Sequence, residues 1–137
     1  MRALMGARSC PAMPLPPRAM RPLPARVVIT NGTDAPVEDV NPVRSFYGMV
    51  ARVASDGRAF VPSQRLTRAE ALRAYTLNNA YASFQERELG SLTPRKYADV
   101  VVMSKDIMRI PESEIPSAQV DYTIVAGTVR FRREATP

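Results

Sequence analysis

The sequence predicts an α+β chain in the order extended tail, strand, two helices and three strands, and three observations carry that prediction. Val27 to Thr30 are four consecutive β-branched residues that run into Asn-Gly-Thr-Asp-Ala-Pro. Two later stretches repeat apolar residues at helical spacing behind N-cap signals. After Lys96 the pattern changes to short apolar runs broken by glycine and proline, which is the signature of strands and turns.

The tail comes first. Residues 1–25 hold six of the thirteen prolines, and residues 1–26 carry five arginines and no acid, so they supply five of the six net positive charges. Nothing in them repeats at a strand or helix period, and they are expected to be disordered. The rest of the chain is almost neutral, which argues against a nucleic-acid surface on the folded part. No apolar run approaches the roughly 18 residues of a membrane span. Cys10 is the only cysteine and the chain has no histidine, so neither an internal disulfide nor a Cys/His metal cluster can form. The unpaired cysteine and the lack of an export signal point to the cytoplasm.

The segment "RVVIT" from Arg26 reads as a strand. Its apolar residues are consecutive, not alternating, which suits burial on both faces. In "NPVRSFYGMVARV", Asn41 is a natural N-cap, Pro42 fits the first helical position, and Val43, Phe46, Tyr47 and Val50 form one stripe. A helix from Pro42 to Val53 is expected, ended by Ser55-Asp56-Gly57. The next helix, "LTRAEALRAYTLNNAYASF", opens with Thr67 and Glu70 as a capping box. Leu72, Tyr75, Ala80 and Phe84 lie near one face, widened by Ala71, Ala74 and Tyr81, and Gly90 is placed to stop the helix. Tyr47, Tyr75, Tyr81 and Phe84 are expected to pack in the core. "YADVVVMS" is a short strand with Asp99 at its start, and "IPESEIPSAQ" is a polar connection. "VDYTIVAGTVRFRRE" is a hairpin with arms Val120–Val125 and Thr128–Phe131, turning at Ala126-Gly127.

Four blocks in this order, "NGTDAPVEDVNPVRSFYGMVAR", "QRLTRAEALRAYTLNNAYASFQE", "GSLTPRKYADVVVMSKDI" and "YTIVAGTV", resemble the C-terminal part of the metal-dependent amidohydrolases, in their amidohydrolase-3 branch. The resemblance covers residues 26–133. It implies a hydrolase of non-peptide carbon–nitrogen bonds, a small-molecule amide substrate and a divalent metal, zinc. It also implies a partial (β/α)8 barrel over residues 26–95, holding the last strand and its helices, and strands of a small β-sandwich over residues 96–133. Asp34 matches the aspartate at the end of barrel strand eight, which touches the metal-bound water and serves as general base. Asp34 is thus the candidate catalytic and metal-contacting residue. Taken without the family, it is an ordinary turn residue.

One position departs from the family pattern: Arg95 stands where a glycine usually precedes the lysine of "PRKYADVVV". If the backbone there needs a positive φ, arginine costs roughly 1 kcal/mol. More is missing from the site. The family's metal centre rests on a His-x-His pair, a bridging lysine and two further histidines. This chain has no histidine, and its two lysines, Lys96 and Lys105, fall in the small-domain region. The expectation is a C-terminal piece of such an enzyme, inactive and metal-free alone, whose apolar helix faces promote self-association. A small interaction protein using the basic Pro/Arg tail is the alternative. Asp99 and Asp106 read as solvated or capping residues, Arg52 as a surface arginine with a substrate carboxylate as the sharper option, and Cys10 as no nucleophile. Asn78 and Asn79 are unusual in a helix middle and are expected to hydrogen-bond across to the barrel, with no partner singled out.

Overall fold

The computed structural model describes residues 27–54 and 56–134. The disordered tail expected over residues 1–25 lies outside them.

The expected first strand is not one. Residues 27–33 are extended but belong to no sheet, and Val27 and Val28 are 51% and 49% exposed. A β-strand is a property of a pair, and among the described residues no strand runs beside this one. Its carbonyls are taken by side chains instead: Asn78 donates to Ile29 O at 2.7 Å and Asn79 to Asn31 O at 2.8 Å.

Helix α1 spans Pro42–Ala51. Its start follows local rules, with Asn41 accepting from the Val43 amide at 3.0 Å and Pro42 in the first turn. Val43, Phe46, Val50 and Ala51 are its buried face. It ends two residues before the expected Val53 because Arg52 turns left-handed (φ 52°) and donates its amide to Gly48 O. The chain then makes a small loop closed by the bridge Val53–Ala59, with the guanidinium of Arg52 over the Phe60 ring at 5.0 Å.

The capping box at Thr67 forms as expected: Thr67 Oγ1 accepts from the Glu70 amide, and the Glu70 carboxylate accepts from the Thr67 amide at 2.9 Å. The single helix expected after it is two, α2 (Arg68–Tyr75) and α3 (Leu77–Ala82). The break is at Thr76 (φ −119°, ψ −88°), whose hydroxyl bonds back to Leu72 O at 2.8 Å and competes with the backbone ladder. The buried face also differs from the expected stripe. Ala71, Ala74 and Ala80 are inside, Tyr75 is half-buried, and Tyr81 and Phe84 are 55% and 93% exposed. Small alanines fill the inner face, Tyr75 packs against the core as expected, and the rings of Tyr81 and Phe84 stay outside.

Gly90 does not terminate α3, which ends eight residues earlier. It has a positive φ of 83° and lies against the α2–α3 break, where a Cβ would come within 2.8 Å of Leu77 Cα. Lys96 donates to Glu86 O and Leu89 O and ties down this return loop. Arg95 has φ 76°, so the backbone does require the left-handed region at the position where the family pattern has glycine.

The sheet is antiparallel in the order β1 (Val100–Met103), β2 (Val120–Val125), β3 (Thr128–Arg132). Val100 faces Ile124 and Val102 faces Tyr122 in the first pair; Thr123 faces Phe131 in the second. The hairpin turns at Ala126-Gly127 as expected, both with positive φ, the geometry that fits a two-residue turn to twisted strands. Asp99 caps that turn by accepting from the Ala126 amide at 2.8 Å.

The core is small. Val43, Phe46, Val50, Ala71, Ile115 and Ala118 form it, with Met49, Leu66, Met103, Ile107 and Ile110 packed around them. Ile115, fully buried, comes from the connection expected to be merely polar; it lies in a short 3-10 turn, Glu112–Ser117. Two arginines hold that connection to the helices. Arg68 donates to Ile107 O and Ile110 O at 3.0 and 2.6 Å, and Arg65 pairs with Glu112 at 2.7 Å while also donating to Ala51 O.

Candidate functional site

Asp34 stands at the turn between the extended segment and α1. Its φ of 50° is in the left-handed region, which aspartate tolerates better than most residues, and its carbonyl accepts from the Val37 amide at 2.9 Å. The side chain is exposed and lies near Gly32, where an added Cβ would be 3.8 Å from Asp34 Oδ1. It opens onto a groove of about 480 Å³ shared with Glu38, Asp39, Arg44 and Tyr47. Asp39 is engaged locally by the Asn41 amide at 3.2 Å.

The approach to Asp34 is fastened from two sides. From α2 and α3 come the Ala74 carbonyl, which accepts from the Asn31 amide at 3.2 Å, and the Asn79 amide on Asn31 O. From α1 comes Ser45, whose hydroxyl accepts from the Asn31 side chain at 3.0 Å and donates to Gly32 O at 2.9 Å. The paired asparagines were a visible signal in the sequence. Ser45 and Asn31 carried none, because a single hydroxyl on a helix and an asparagine before a glycine are ordinary residues of caps and loops.

A metal does not fit the described residues. Among them no group of three or more histidine, cysteine, aspartate or glutamate side chains converges as a ligand set. A catalytic zinc needs three protein ligands and an open position. Asp34, Glu38 and Asp39 share a groove but do not form that set.

The other candidates fall into structural roles. Asp106 accepts from the Met108 amide at 3.0 Å and lies 3.6 Å from Arg109. Arg52 spends its donors on Phe60 O and Gln64, away from the groove residues. Tyr47 is half-buried and lines the groove, so of the expected core aromatics it alone adjoins Asp34's site.

The model of the amidohydrolase family matches residues 11–131, and the chain belongs to that family. It is 34% identical over 118 residues to an N-substituted formamide deformylase of Arthrobacter pascens, covering 86% of this chain and 21% of that enzyme. It is 36% identical over 106 residues to the protein LONG AFTER FAR-RED 3 of Arabidopsis thaliana, covering 77% of this chain and 18% of the relative. Among solved structures, an amidohydrolase from Thermotoga maritima shares its fold with a TM-score of 0.59 at 22% identity, over 78% of this chain and 24% of the other. The chain thus spans about a fifth of the length of these curated relatives. No helix among the described residues is long and apolar enough to cross a membrane.

Proposed function

We propose that this chain is the part of a carbon–nitrogen hydrolase that presents the proton-accepting carboxylate, Asp34, to a small amide substrate. One observation carries the reading: Asp34, which the resemblance matches to the family's general base, sits on a groove, at the end of a segment held by hydrogen bonds from α1, α2 and α3. A fixed carboxylate can take a proton from an attacking water and return it to the leaving amine, which is general base and then general acid work. Residues 26–95 are assigned to the end of a (β/α)8 barrel, with the extended segment in the place of strand eight, and residues 96–133 to the small sheet domain. Barrels of this kind keep their chemistry at the carboxyl ends of their strands, and this assignment would put Asp34 at such an end.

The metal we assign to the complete site is zinc, with Asp34 as this chain's contact to it; the remaining donors are not among the described residues. The chain alone is therefore assigned no turnover, and its compartment is the cytoplasm. Leu72, Tyr81 and Phe84, all exposed, are the side chains through which it would self-associate.

The test is a graft. Residues 26–133 replace the matched segment of the Arthrobacter pascens deformylase, and hydrolysis of an N-substituted formamide is measured. Hydrolysis by the graft, with none by the isolated chain under added zinc, supports the assignment. Tight zinc binding and turnover by the isolated chain would overturn it.

A further inference from the structure

A barrel strand is normally fixed by two neighbouring strands, yet the segment leading to Asp34 is fixed by side chains of α1 and α3 and by one backbone carbonyl of α2. Three polar groups of Asn31 are used: its backbone amide donates to Ala74 O, its backbone carbonyl accepts from Asn79, and its side-chain NH2 donates to Ser45. Ser45 passes the connection on to Gly32 O, two residues before Asp34. The chain of bonds therefore runs from α3 through Asn31 to α1 and back to the backbone at the site.

We infer that Ser45 and Asn79 are positioning residues for Asp34, which set the direction of its carboxylate through the Asn31–Gly32 backbone. The inference rests on the reading of Asp34 as proton acceptor and adds the residues that hold it. The chemistry of each side chain is specific. A serine hydroxyl donates and accepts at once, and here it does both, accepting from Asn31 and donating to Gly32. Alanine can do neither, and threonine can do both. Asn79 acts as a donor to two carbonyls, Asn31 O at 2.8 Å and Tyr75 O at 3.2 Å. Aspartate has the same shape but, when ionised, can only accept, so it would set a carboxylate against two carbonyls. Asp34 itself has a positive φ, a conformation that an unsupported turn leaves readily.

The experiment is NMR on the purified full chain, read by the three-bond amide–Hα coupling of Asp34 and by hydrogen exchange at the Asn31 amide. With Ser45→Ala and with Asn79→Asp, the Asp34 coupling should move towards an averaged turn value. Exchange at Asn31 should quicken roughly tenfold, the ratio that about 1.4 kcal/mol of lost protection produces. Ser45→Thr should restore both readouts, which a general loosening of the fold would not explain. The Val50 amide inside α1 is the internal control. If Asn79→Asp melts the chain, Val50 and Asn31 will exchange alike, and Ser45→Ala, which removes one oxygen from a helix surface, decides alone. Unchanged Asp34 coupling and Asn31 exchange within twofold of the wild type in Ser45→Ala would overturn the inference. An Asp34→Asn chain should keep the Asn31 and Gly32 signals, so failure of the catalytic reading in the graft is a separate result from failure of the positioning.

Discussion

Replacing Gly90 by alanine tests the close packing of the return loop on the α2–α3 break. A Cβ at Gly90 would lie 2.8 Å from Leu77 Cα, 2.9 Å from Ala80 Cβ and 3.1 Å from Thr76 O. None of these atoms is the far end of a flexible side chain, so none can swing away. Two costs add. The φ of 83° is left-handed, which takes about 1–2 kcal/mol from an L-residue, and forcing a methyl group into packed atoms takes about 1–3 kcal/mol more. A loss of about 2–5 kcal/mol is large against a total stability of roughly 5–15 kcal/mol. At about 3–5 °C per kcal/mol for a chain of this length, Tm should fall by at least about 6 °C. Thermal melting followed by circular dichroism, checked by urea midpoints at constant m-value, measures it. A fall of less than about 3 °C would mean that the loop is not seated on Leu77 and Ala80, and the packing argument would be wrong.

Three further perturbations follow from the same structure. Arg95→Gly relieves a non-glycine residue at φ 76° and should raise stability by about 0.5–1 kcal/mol, seen as a Tm increase of a few degrees; a decrease would show that the arginine side chain contributes more than its backbone costs. Ile115→Ala empties the only fully buried large side chain among the described residues and should cost about 2–5 kcal/mol by urea titration, whereas a loss below about 1 kcal/mol would remove Ile115 from the core. The Thr67 hydroxyl, then its amide, hold Glu70 below the usual carboxylate range. Because the folded value is depressed, this contribution is present above the ordinary glutamate value and fades as pH falls through the folded one. Glu70→Gln, which still accepts from Thr67, should therefore flatten acid-range stability versus pH while leaving neutral stability within about 0.5 kcal/mol.

What was legible in the sequence was local. Asn41 before Pro42, Thr67 three residues before Glu70, and Ala126-Gly127 between two apolar arms each settle a few backbone angles by short-range chemistry, and each stands where expected. Arg95 is the same kind of case, since a family glycine marks a backbone angle and that angle is there. What was not legible depended on distant partners. Val27 to Thr30 has the composition of a buried strand, but a ladder needs a neighbour, and asparagines from α3 take the Ile29 and Asn31 carbonyls instead. The helical period runs through Thr76 without a mark, so the break is visible only once its hydroxyl is seen bonding to Leu72 O. Ile115 is flanked by glutamate and proline, and nothing local shows that Arg65 and Arg68 draw its segment onto the helices. At the candidate site, Asp34 was singled out through its neighbours in four family blocks, whereas the bonds of Ser45 to Asn31 and Gly32 had to wait for the geometry.

The most direct measurement is kcat of the deformylase graft with and without Asp34→Asn. Loss of a general base should lower kcat by about 10²–10⁴-fold, with KM nearly unchanged and the graft's melting temperature within a few degrees of the parent. A graft that turns over its formamide at the same rate with asparagine in that place would show that this carboxylate accepts no proton in the reaction.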